Sequence, residues 1–200
     1  MEAFKGVQYA FMIGGFPRLA GMQRSDLIAK NTAIFSEAGK AIDAVADKNI
    51  KVIVVANPAN TNACVLMEHA KSIPRENFSA MTRLDANRAK SLLREEAMKK
   101  LGRDVAIEDV KNVIIWGNHS DTQFPDVSFA TIEGKPAREV IQDDAYLDGE
   151  FMKTVQLRGK AVIAARGLSS ACSAAKAACD HMHDWVCGTK EVGVEMKGDG

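Results

Sequence analysis

The side chains best suited to moving a proton lie in two separate segments. His119 ends the stretch Val113-Ile-Ile-Trp-Gly-Asn-His119, and an imidazole can gain or lose a proton near neutral pH. Upstream, Thr82-Arg-Leu-Asp-Ala-Asn-Arg88 carries Asp85 and Arg88 three residues apart. An Asp that orients the His, together with an Arg that binds a substrate carboxylate, would complete an acid/base site. The alternative is a structural His at a strand end, beside a local ion pair in the first turn of a helix. The neighbouring charged residues Arg83 and Asp121 are interpreted as solvated.

Two further arginines lie in a glycine-bounded segment near the N-terminus. The stretch Gly14-Gly-Phe-Pro-Arg-Leu-Ala-Gly-Met-Gln-Arg24 contains Arg18 and Arg24. Glycines at both ends of its loop would let it swing as a lid, and guanidinium groups bind carboxylates through two parallel hydrogen bonds. The competing interpretation is a solvated loop whose arginines pair with surface acids.

Amide side chains follow an apolar run in Val54-Val-Ala-Asn-Pro-Ala-Asn-Thr61. Asn57 can hydrogen-bond a substrate oxygen or a cofactor ribose, or it can serve only a turn. Asn60 and Thr61 are better explained as caps of the following helix. The phosphate-binding pattern G-x-G-x-x-G is absent from the sequence.

These segments must be positioned by elements that the hydrophobic pattern predicts. Strands are predicted at Val7–Ile13, Lys51–Ala56 and Val113–Trp116, and helices at Ser25–Ala46, Thr61–Lys71, Asp85–Leu101, Phe151–Arg166 and Ser169–Val186. The β-branched run Lys51–Ala56 is typical of a strand covered on both faces. The four apolar residues Val113–Trp116 also predict a buried strand. Loops and short antiparallel strands are expected between Thr122 and Leu147.

The predicted order of strands and helices indicates an α/β fold. A partial parallel sheet would occupy residues 1–74 and an α+β part residues 75–200, with the division near Ile73–Arg75. In open α/β sheets, ligands bind beyond the carboxyl ends of the strands. The loops after Ile13, Ala56 and Trp116 all follow strand ends, so a site is expected there.

Composition excludes several classes of protein. Lys plus Arg and Asp plus Glu both number 26 in 200 residues, so no general positive field favours nucleic acid or an anionic membrane. The apolar segment Val7–Ile13 is too short to span a bilayer. The four cysteines lack a disulfide pattern, which favours a reducing compartment and buried thiols. Cys179, His183 and Cys187 share a helix face, but i and i+8 lie about 12 Å apart, so no metal site is predicted.

Five motifs in order resemble the lactate/malate dehydrogenase superfamily, specifically the cytosolic type of NAD-dependent malate dehydrogenase. They are GGFPRLAGMQRSDLIAKN, VVANPANTN, TRLDANRAK, NVIIWGNHSDTQFPDV and LSSACSAAKAACDH with HDWVCGT. The resemblance extends from about Phe4 to Thr189. It implies a partial Rossmann-type sheet, a catalytic domain of that family's type, NAD as cofactor, and malate and oxaloacetate as substrates. A cytoplasmic location and a homodimer are also implied.

The resemblance also implies a role for each matching residue. His119 would be the general acid/base, and Asp85 would hold its imidazole. Arg88 would bind the carboxylate next to the reacting carbon, and Arg18 the distal carboxylate. Arg24 and Asn57 would contact the carbonyl oxygen. Cofactor contacts are implied at Gly14, Asn31, Val55 and Asn57.

One departure from the family leaves a second hypothesis open. The family's first βαβ unit, with its glycine fingerprint, has no counterpart in the sequence, and the chain is expected to be truncated at both ends. That unit binds the pyrophosphate and adenosine. A malate dehydrogenase and a catalytically silent fragment of one are therefore both considered.

Overall fold

The structure, a computed structural model, describes residues 1–16 and 24–189. The chain divides into two compact units between Met81 and Thr82. The sequence placed the division near Ile73–Arg75, which is too early. The segment after Arg75 belongs to the first unit because it forms that unit's third strand.

In its described residues, the first unit contains three parallel strands and two long helices. They are β1 (Tyr9–Met12), α1 (Arg24–Val45), β2 (Lys51–Val54), α2 (Ala59–His69) and β3 (Phe78–Ala80), with 3-10 turns at Glu2–Phe4 and Arg75–Asn77. The strand order is β1-β2-β3, and Val52 of β2 pairs with Ala10 on one side and Phe78 on the other. The predicted parallel α/β arrangement is confirmed.

The core of this unit lies between the sheet and its two helices. Val52 and Val54 of β2 are fully buried and pack with Phe35 of α1 and Leu66 of α2. A strand covered in this way needs apolar side chains along its length, which explains the β-branched run of β2. The same packing brings α1 close to α2 at Gly39, where no side chain intervenes.

The second unit, as far as residue 189, combines short antiparallel strands with four helices. Its elements are α3 (Arg83–Leu101), β4 (Val110–Lys111), β5 (Ile114–Trp116), β6 (Phe124–Asp126), β7 (Thr131–Ile132), β8 (Lys135–Pro136), α4 (Ala137–Ile141), α5 (Met152–Arg166) and α6 (Cys172–Cys187). A 3-10 turn at Ile107–Asp109 precedes β4, and a π-helical turn at Tyr146–Phe151 leads into α5. One sheet has the order β4-β7-β8, and β5 pairs with β6 as a separate ribbon.

Helix α3 is the central element of the second unit. Leu93 and Ala97 on its inner face are fully buried against Ile132, Ile141 and other apolar side chains. The helix ends at Gly102, as predicted, where φ of +65° favours a residue without Cβ. This packing fixes the first two turns of α3, which carry Asp85 and Arg88.

Two sequence-based interpretations are corrected by the structure. The segment around β5 was interpreted as a buried strand, but β5 is half of an antiparallel ribbon and Trp116 is 53% exposed. The cysteines were expected to be buried, but all four are exposed, because those of α2 and α6 lie on outward faces. No helix in the described ranges is long and apolar enough to cross a membrane.

Candidate functional site

An imidazole and a buried carboxylate form the centre of the candidate site in the second unit. Nδ1 of His119 lies 2.6 Å from Oδ2 of Asp85. The Asp85 side chain is 1% exposed and that of His119 is 35% exposed. Because a carboxylate only accepts, Nδ1 carries the hydrogen and Nε2 is left to exchange a proton. Nε2 has no hydrogen-bond partner among the described residues.

The electrostatic surroundings favour the protonated form of this imidazole. The hydrogen bond to Asp85 raises the pKa of His119 above its usual 6.5, and the charge of Asp85 adds to this effect. Burial and the charge of Arg88 act in the opposite direction. The net result is a ring that holds a proton more firmly than a free histidine and can still release it.

The loop that carries His119 is ordered by its own hydrogen bonds. It leaves β5 at Gly117, where φ of +88° suits glycine. The hydroxyl of Ser120 donates to Oδ1 of Asn118 at 2.7 Å, and the amide of Gln123 donates to the carbonyl of Ser120 at 3.2 Å. The loop therefore turns back into β6, and His119 and Gln123 both hydrogen-bond Asp85 of α3.

Helix α5 holds the same loop from outside. Nε2 of Gln156 donates to the main-chain oxygen of Gln123 at 2.7 Å, and Lys160 pairs with Asp121. Gln156 and Lys160 are four residues apart and share one face of α5. Asp121 is interpreted as solvated from the sequence, and its side chain is indeed 50% exposed.

Arg88 is held beside the pair by two groups. Its Nη1 lies 3.6 Å from Oδ1 of Asp85, and its Nη2 donates to Oγ of Ser170 at 2.9 Å. The side chain is only 14% exposed. Burial lowers the pKa of Arg88, Asp85 raises it, and the nearby Arg158 lowers it further. A partly buried guanidinium with remaining donors is a suitable group for a substrate carboxylate.

A groove of about 840 Å³ runs between α3, α5 and α6. Arg88 and Ser170 line it, together with Arg158 and other charged and polar side chains, whereas Asp85 and His119 do not. The groove therefore borders the carboxylate-binding candidate Arg88 but not the pair formed by His119 and Asp85. In the described ranges, no three His, Cys, Asp or Glu side chains are grouped so that they could hold a metal ion.

The candidate cofactor residues lie in the first unit, where the segments after β1 and β2 approach each other. Oδ1 of Asn31 accepts from the amide of Phe16 at 2.7 Å, and its Nδ2 donates to the carbonyl of Asn57 at 3.1 Å. A Cβ on Gly15 would lie 3.0 Å from Cβ of Ala56. The fully buried Asn31 amide thus fixes the spacing of the two segments, and its contact with cofactor stays a prediction.

Three other predicted residues are accessible at this strand end. A Cβ on Gly14 would meet no atom within 4 Å, so its backbone borders open space. Asn57 is exposed, and its side-chain amide has no partner among the described residues; Val55 is half-buried. The peptide bond between Asn57 and Pro58 is cis. Exposed donors and acceptors beyond parallel strands suit the nicotinamide end of a dinucleotide.

The two arginines of the N-terminal segment that are predicted to bind substrate, Arg18 and Arg24, lie where the described residues are interrupted. Arg18 lies outside the described residues. Helix α1 begins at Arg24, whose side chain also lies outside the description. Of the six residues predicted for catalysis and substrate binding, the structure brings together Asp85, Arg88 and His119 in the second unit.

Sequence reasoning missed two contacts and misread one residue. It did not identify Ser170, which lies 82 positions after Arg88, or Gln123, whose Nε2 donates to Oδ1 of Asp85 at 3.3 Å. No periodicity or spacing points to either. Arg83 was interpreted as solvated, but it is 17% exposed and bonds Asp184 of α6 at 2.7 Å.

Two family models together match nearly the whole chain. Residues 1–79 match the model described as lactate/malate dehydrogenase, NAD binding domain. Residues 82–199 match the model described as lactate/malate dehydrogenase, alpha/beta C-terminal domain.

Individual relatives agree with these matches. The protein named "Malate dehydrogenase, cytoplasmic" from Medicago sativa is 54% identical over 195 residues, which are 96% of this chain and 57% of that protein. The crystal structure of malate dehydrogenase from Naegleria fowleri has a TM-score of 0.84 at 48% identity, covering 92% of this chain and 55% of that one. Lactate dehydrogenase from Trichomonas vaginalis, in complex with NADH and oxamate, has a TM-score of 0.79 at 38% identity, over 92% and 54%. The chain thus spans little more than half the length of these relatives.

Proposed function

Because the chain belongs to the lactate/malate dehydrogenase family, we propose that it carries the proton-transfer and carboxylate-binding part of an NAD-dependent malate dehydrogenase. The observation that supports this most strongly is the contact of His119 with Asp85, with Arg88 alongside. An imidazole held by a buried carboxylate next to a guanidinium is what the reversible oxidation of a 2-hydroxy acid requires.

His119 is the proposed proton carrier. In malate oxidation, Nε2 takes the proton of the substrate hydroxyl as the carbonyl forms; in oxaloacetate reduction, it returns that proton to the carbonyl oxygen. Asp85 accepts from Nδ1 throughout, and so keeps Nε2 as the exchanging atom and stabilises the imidazolium. The raised pKa of His119 suits a group that must be protonated for one direction and neutral for the other.

Arg88 is the proposed ligand of the carboxylate next to the reacting carbon. Ser170 and Asp85 hold its guanidinium in place, which lowers the entropy lost when substrate binds. Arg18 is proposed to bind the distal carboxylate of malate, and Arg24 and Asn57 to contact the reacting oxygen. A second carboxylate ligand would separate malate from lactate.

NAD is the proposed cofactor. When bound, NAD accepts or returns the substrate hydride. Exposed Gly14 and Asn57 at the strand ends of the first unit fit its nicotinamide half. Asn31 and Val55 would shape the same strand ends.

The Medicago sativa relative is named cytoplasmic, and we propose the same location for this chain. A homodimer is also proposed, and light scattering of the purified chain would give the molar mass that tests this oligomeric state.

The test is oxaloacetate-dependent oxidation of NADH by the chain and its His119→Asn variant. We expect the variant to lose roughly a thousandfold in kcat, because general acid/base catalysis contributes on that scale. His183→Asn, on the exposed face of α6, is the matched control and should retain the parent rate. Equal rates for His119→Asn and the parent would contradict the assignment.

A second candidate is a catalytically silent fragment of such an enzyme. It is favoured by the absence of G-x-G-x-x-G from the sequence, since that pattern cradles the pyrophosphate. Titration of NADH into the chain, followed by NADH fluorescence, separates the two candidates. Saturable binding supports the dehydrogenase, and its absence supports the silent fragment.

Substrate choice tests the role of Arg18. In Arg18→Gln, kcat/KM for oxaloacetate should fall by roughly 100-fold relative to pyruvate, because a charge-assisted contact to the distal carboxylate is lost. Arg75→Gln, an exposed arginine paired with Glu68, is the control. An unchanged oxaloacetate/pyruvate ratio in Arg18→Gln would refute the role.

A further inference from the structure

Asp85 has two carboxylate oxygens, and they face different partners. Oδ2 accepts from Nδ1 of His119 at 2.6 Å, whereas Oδ1 accepts from Nε2 of Gln123 at 3.3 Å and lies 3.6 Å from Nη1 of Arg88. A carboxylate can rotate about its last side-chain bond, and that torsion is soft. The contacts to Oδ1 therefore decide whether Oδ2 stays in line with the imidazole.

The side chain of Gln123 is buried, and its hydrogen bond to Oδ1 of Asp85 explains why a polar residue lies there. Its side chain is 2% exposed, and its Oε1 is buried without a hydrogen-bond partner among the described residues. A buried acceptor left unpaired is unfavourable, and an apolar side chain of the same shape would avoid that cost. The opposite amide orientation would place Oε1 against the Asp85 carboxylate, which is worse. The donation to Asp85 is the interaction that Gln123 gains in return.

The backbone of Gln123 is held independently of its side chain. Its amide donates to the carbonyl of Ser120, and its carbonyl accepts from Nε2 of Gln156 on α5. Gln123 closes the same loop that carries His119, four residues earlier. Both ends of that loop thus meet the one carboxylate on α3, and the backbone anchor from α5 fixes where the Gln123 side chain begins.

We propose that Gln123 is a positioning residue that acts through Asp85: its amide holds the carboxylate so that Oδ2 keeps the proton of His119 on Nδ1. The inference rests on the proposed role of His119 as acid/base. Its direct consequence concerns the tautomer of His119 and needs neither NAD nor malate.

The test is ¹⁵N NMR of the His119 imidazole in the whole chain and in Gln123→Met, which keeps the length of the side chain and removes the donor. In the parent, the neutral ring should carry its proton on Nδ1. In Gln123→Met, a mixture of tautomers should appear. The midpoint of urea unfolding should change little, because the hydrogen bond to Oδ1 of Asp85 is lost while the unpaired Oε1 of Gln123 is removed with it. Where the parent turns over substrate, kcat should fall about tenfold with little change in KM.

The matched control is Gln156→Met. It removes a hydrogen bond to the main chain of the same residue but leaves both oxygens of Asp85 untouched. We expect the Nδ1–H tautomer to persist in this variant. A tautomer that is unchanged in Gln123→Met, or equally disturbed in Gln156→Met, would overturn the proposal, since the loop as a whole would then be responsible.

The parent chain gives a second measurement that does not depend on any variant folding. The side-chain NH₂ of Gln123 should show one proton protected from exchange, with a chemical shift that follows the titration of His119. A rapidly exchanging pair that ignores this titration would also overturn the proposal. Loss of NADH oxidation in the parent would count against the proposed function, but it would leave these NMR outcomes intact.

Discussion

At the scale of single residues, the pair formed by His119 and Asp85 sets the pH dependence of the site. The pKa of His119 is raised first by its hydrogen bond to Asp85. The ring must be neutral to accept the malate proton, so kcat/KM for malate oxidation should rise with pH through this pKa. For oxaloacetate reduction, kcat/KM should fall over the same range.

The hydrogen bond between His119 and Asp85 also contributes to the free energy of unfolding. Its contribution is fully present below about pH 6.5 and is lost as pH rises through the pKa of His119 in the folded chain.

Asp85→Asn should lower the pKa of His119 to 6.5 or below, because burial and the charge of Arg88 then act unopposed. NMR titration of the imidazole measures this shift, and the pH limb of kcat/KM should move in the same direction. An imidazole pKa that stays raised in the variant would mean that Asp85 is not its cause.

A second histidine, His181 of α6, behaves in the opposite way. Burial lowers its pKa to about 4, with a further contribution from Arg83. The unfolded chain takes up this proton near pH 6.5 and the folded chain only near pH 4, so stability falls as pH falls between these values. His181 should cost about 3 kcal/mol of stability at pH 4 relative to neutral pH.

The variant His181→Gln removes this proton uptake. Urea unfolding from pH 7 to pH 4 should show a shallower loss of stability in the variant than in the parent. His183→Gln, two positions along the same helix but exposed, serves as the control and should keep the parent slope. Parallel curves for the parent and His181→Gln would contradict the prediction.

At the scale of elements, the close approach of α1 and α2 depends on one glycine. A Cβ at Gly39 would lie 2.7 Å from the carbonyl oxygen of Leu66 and 2.8 Å from Cβ of His69. Neither atom can move without shifting α2. Gly39→Ala should therefore destabilise the first unit by about 1–3 kcal/mol, although alanine usually favours a helix.

Gly159 of α5 provides the matched comparison. A Cβ there would meet only Nη1 of Arg88, at an ordinary 3.8 Å. Gly159→Ala should therefore stabilise α5 by about 0.5–1 kcal/mol through helix propensity alone. Urea unfolding of both variants measures whether the free energy of unfolding falls in Gly39→Ala and rises in Gly159→Ala. Destabilisation of equal size in both would show that close packing at Gly39 is not the cause.

The sequence predicted the long elements well and the short ones poorly. Helix α3 is marked by composition and by Gly102, and β2 by its β-branched run, so both were placed within a few residues. The strand β3 has three residues and no alternation, and its pairing with β2 defines it. The π-helical turn before α5 was likewise not predicted.

In the candidate site, too, some residues could be predicted from the sequence and others could not. Asp85 and His119 were identified by residue type and family resemblance, but only the fold shows that they touch across 34 positions. Ser170 and Gln123 have no local signal, because their roles depend on helices and a loop that meet in three dimensions. Arg83 was misread for the same reason, since its partner lies 101 positions away on α6.

At the scale of the whole molecule, the chain consists of two units with separate cores. Each core draws its apolar side chains from its own strands and helices. Proteins with more than one such unit commonly depart from two-state unfolding. We expect the two units to unfold in separate steps, and a stability variant should move only the step of the unit that contains it.

The division at Met81 gives these steps distinct optical signatures. Trp116 and Trp185 are the only tryptophans of the sequence, and both lie in the second unit, so indole emission reports that unit alone. Far-ultraviolet circular dichroism also detects α1 and α2. Gly39→Ala should displace the dichroism curve and leave the emission curve in place, whereas His181→Gln should move the emission curve at pH 4. Superimposable curves in every variant would mean that the two units melt as one.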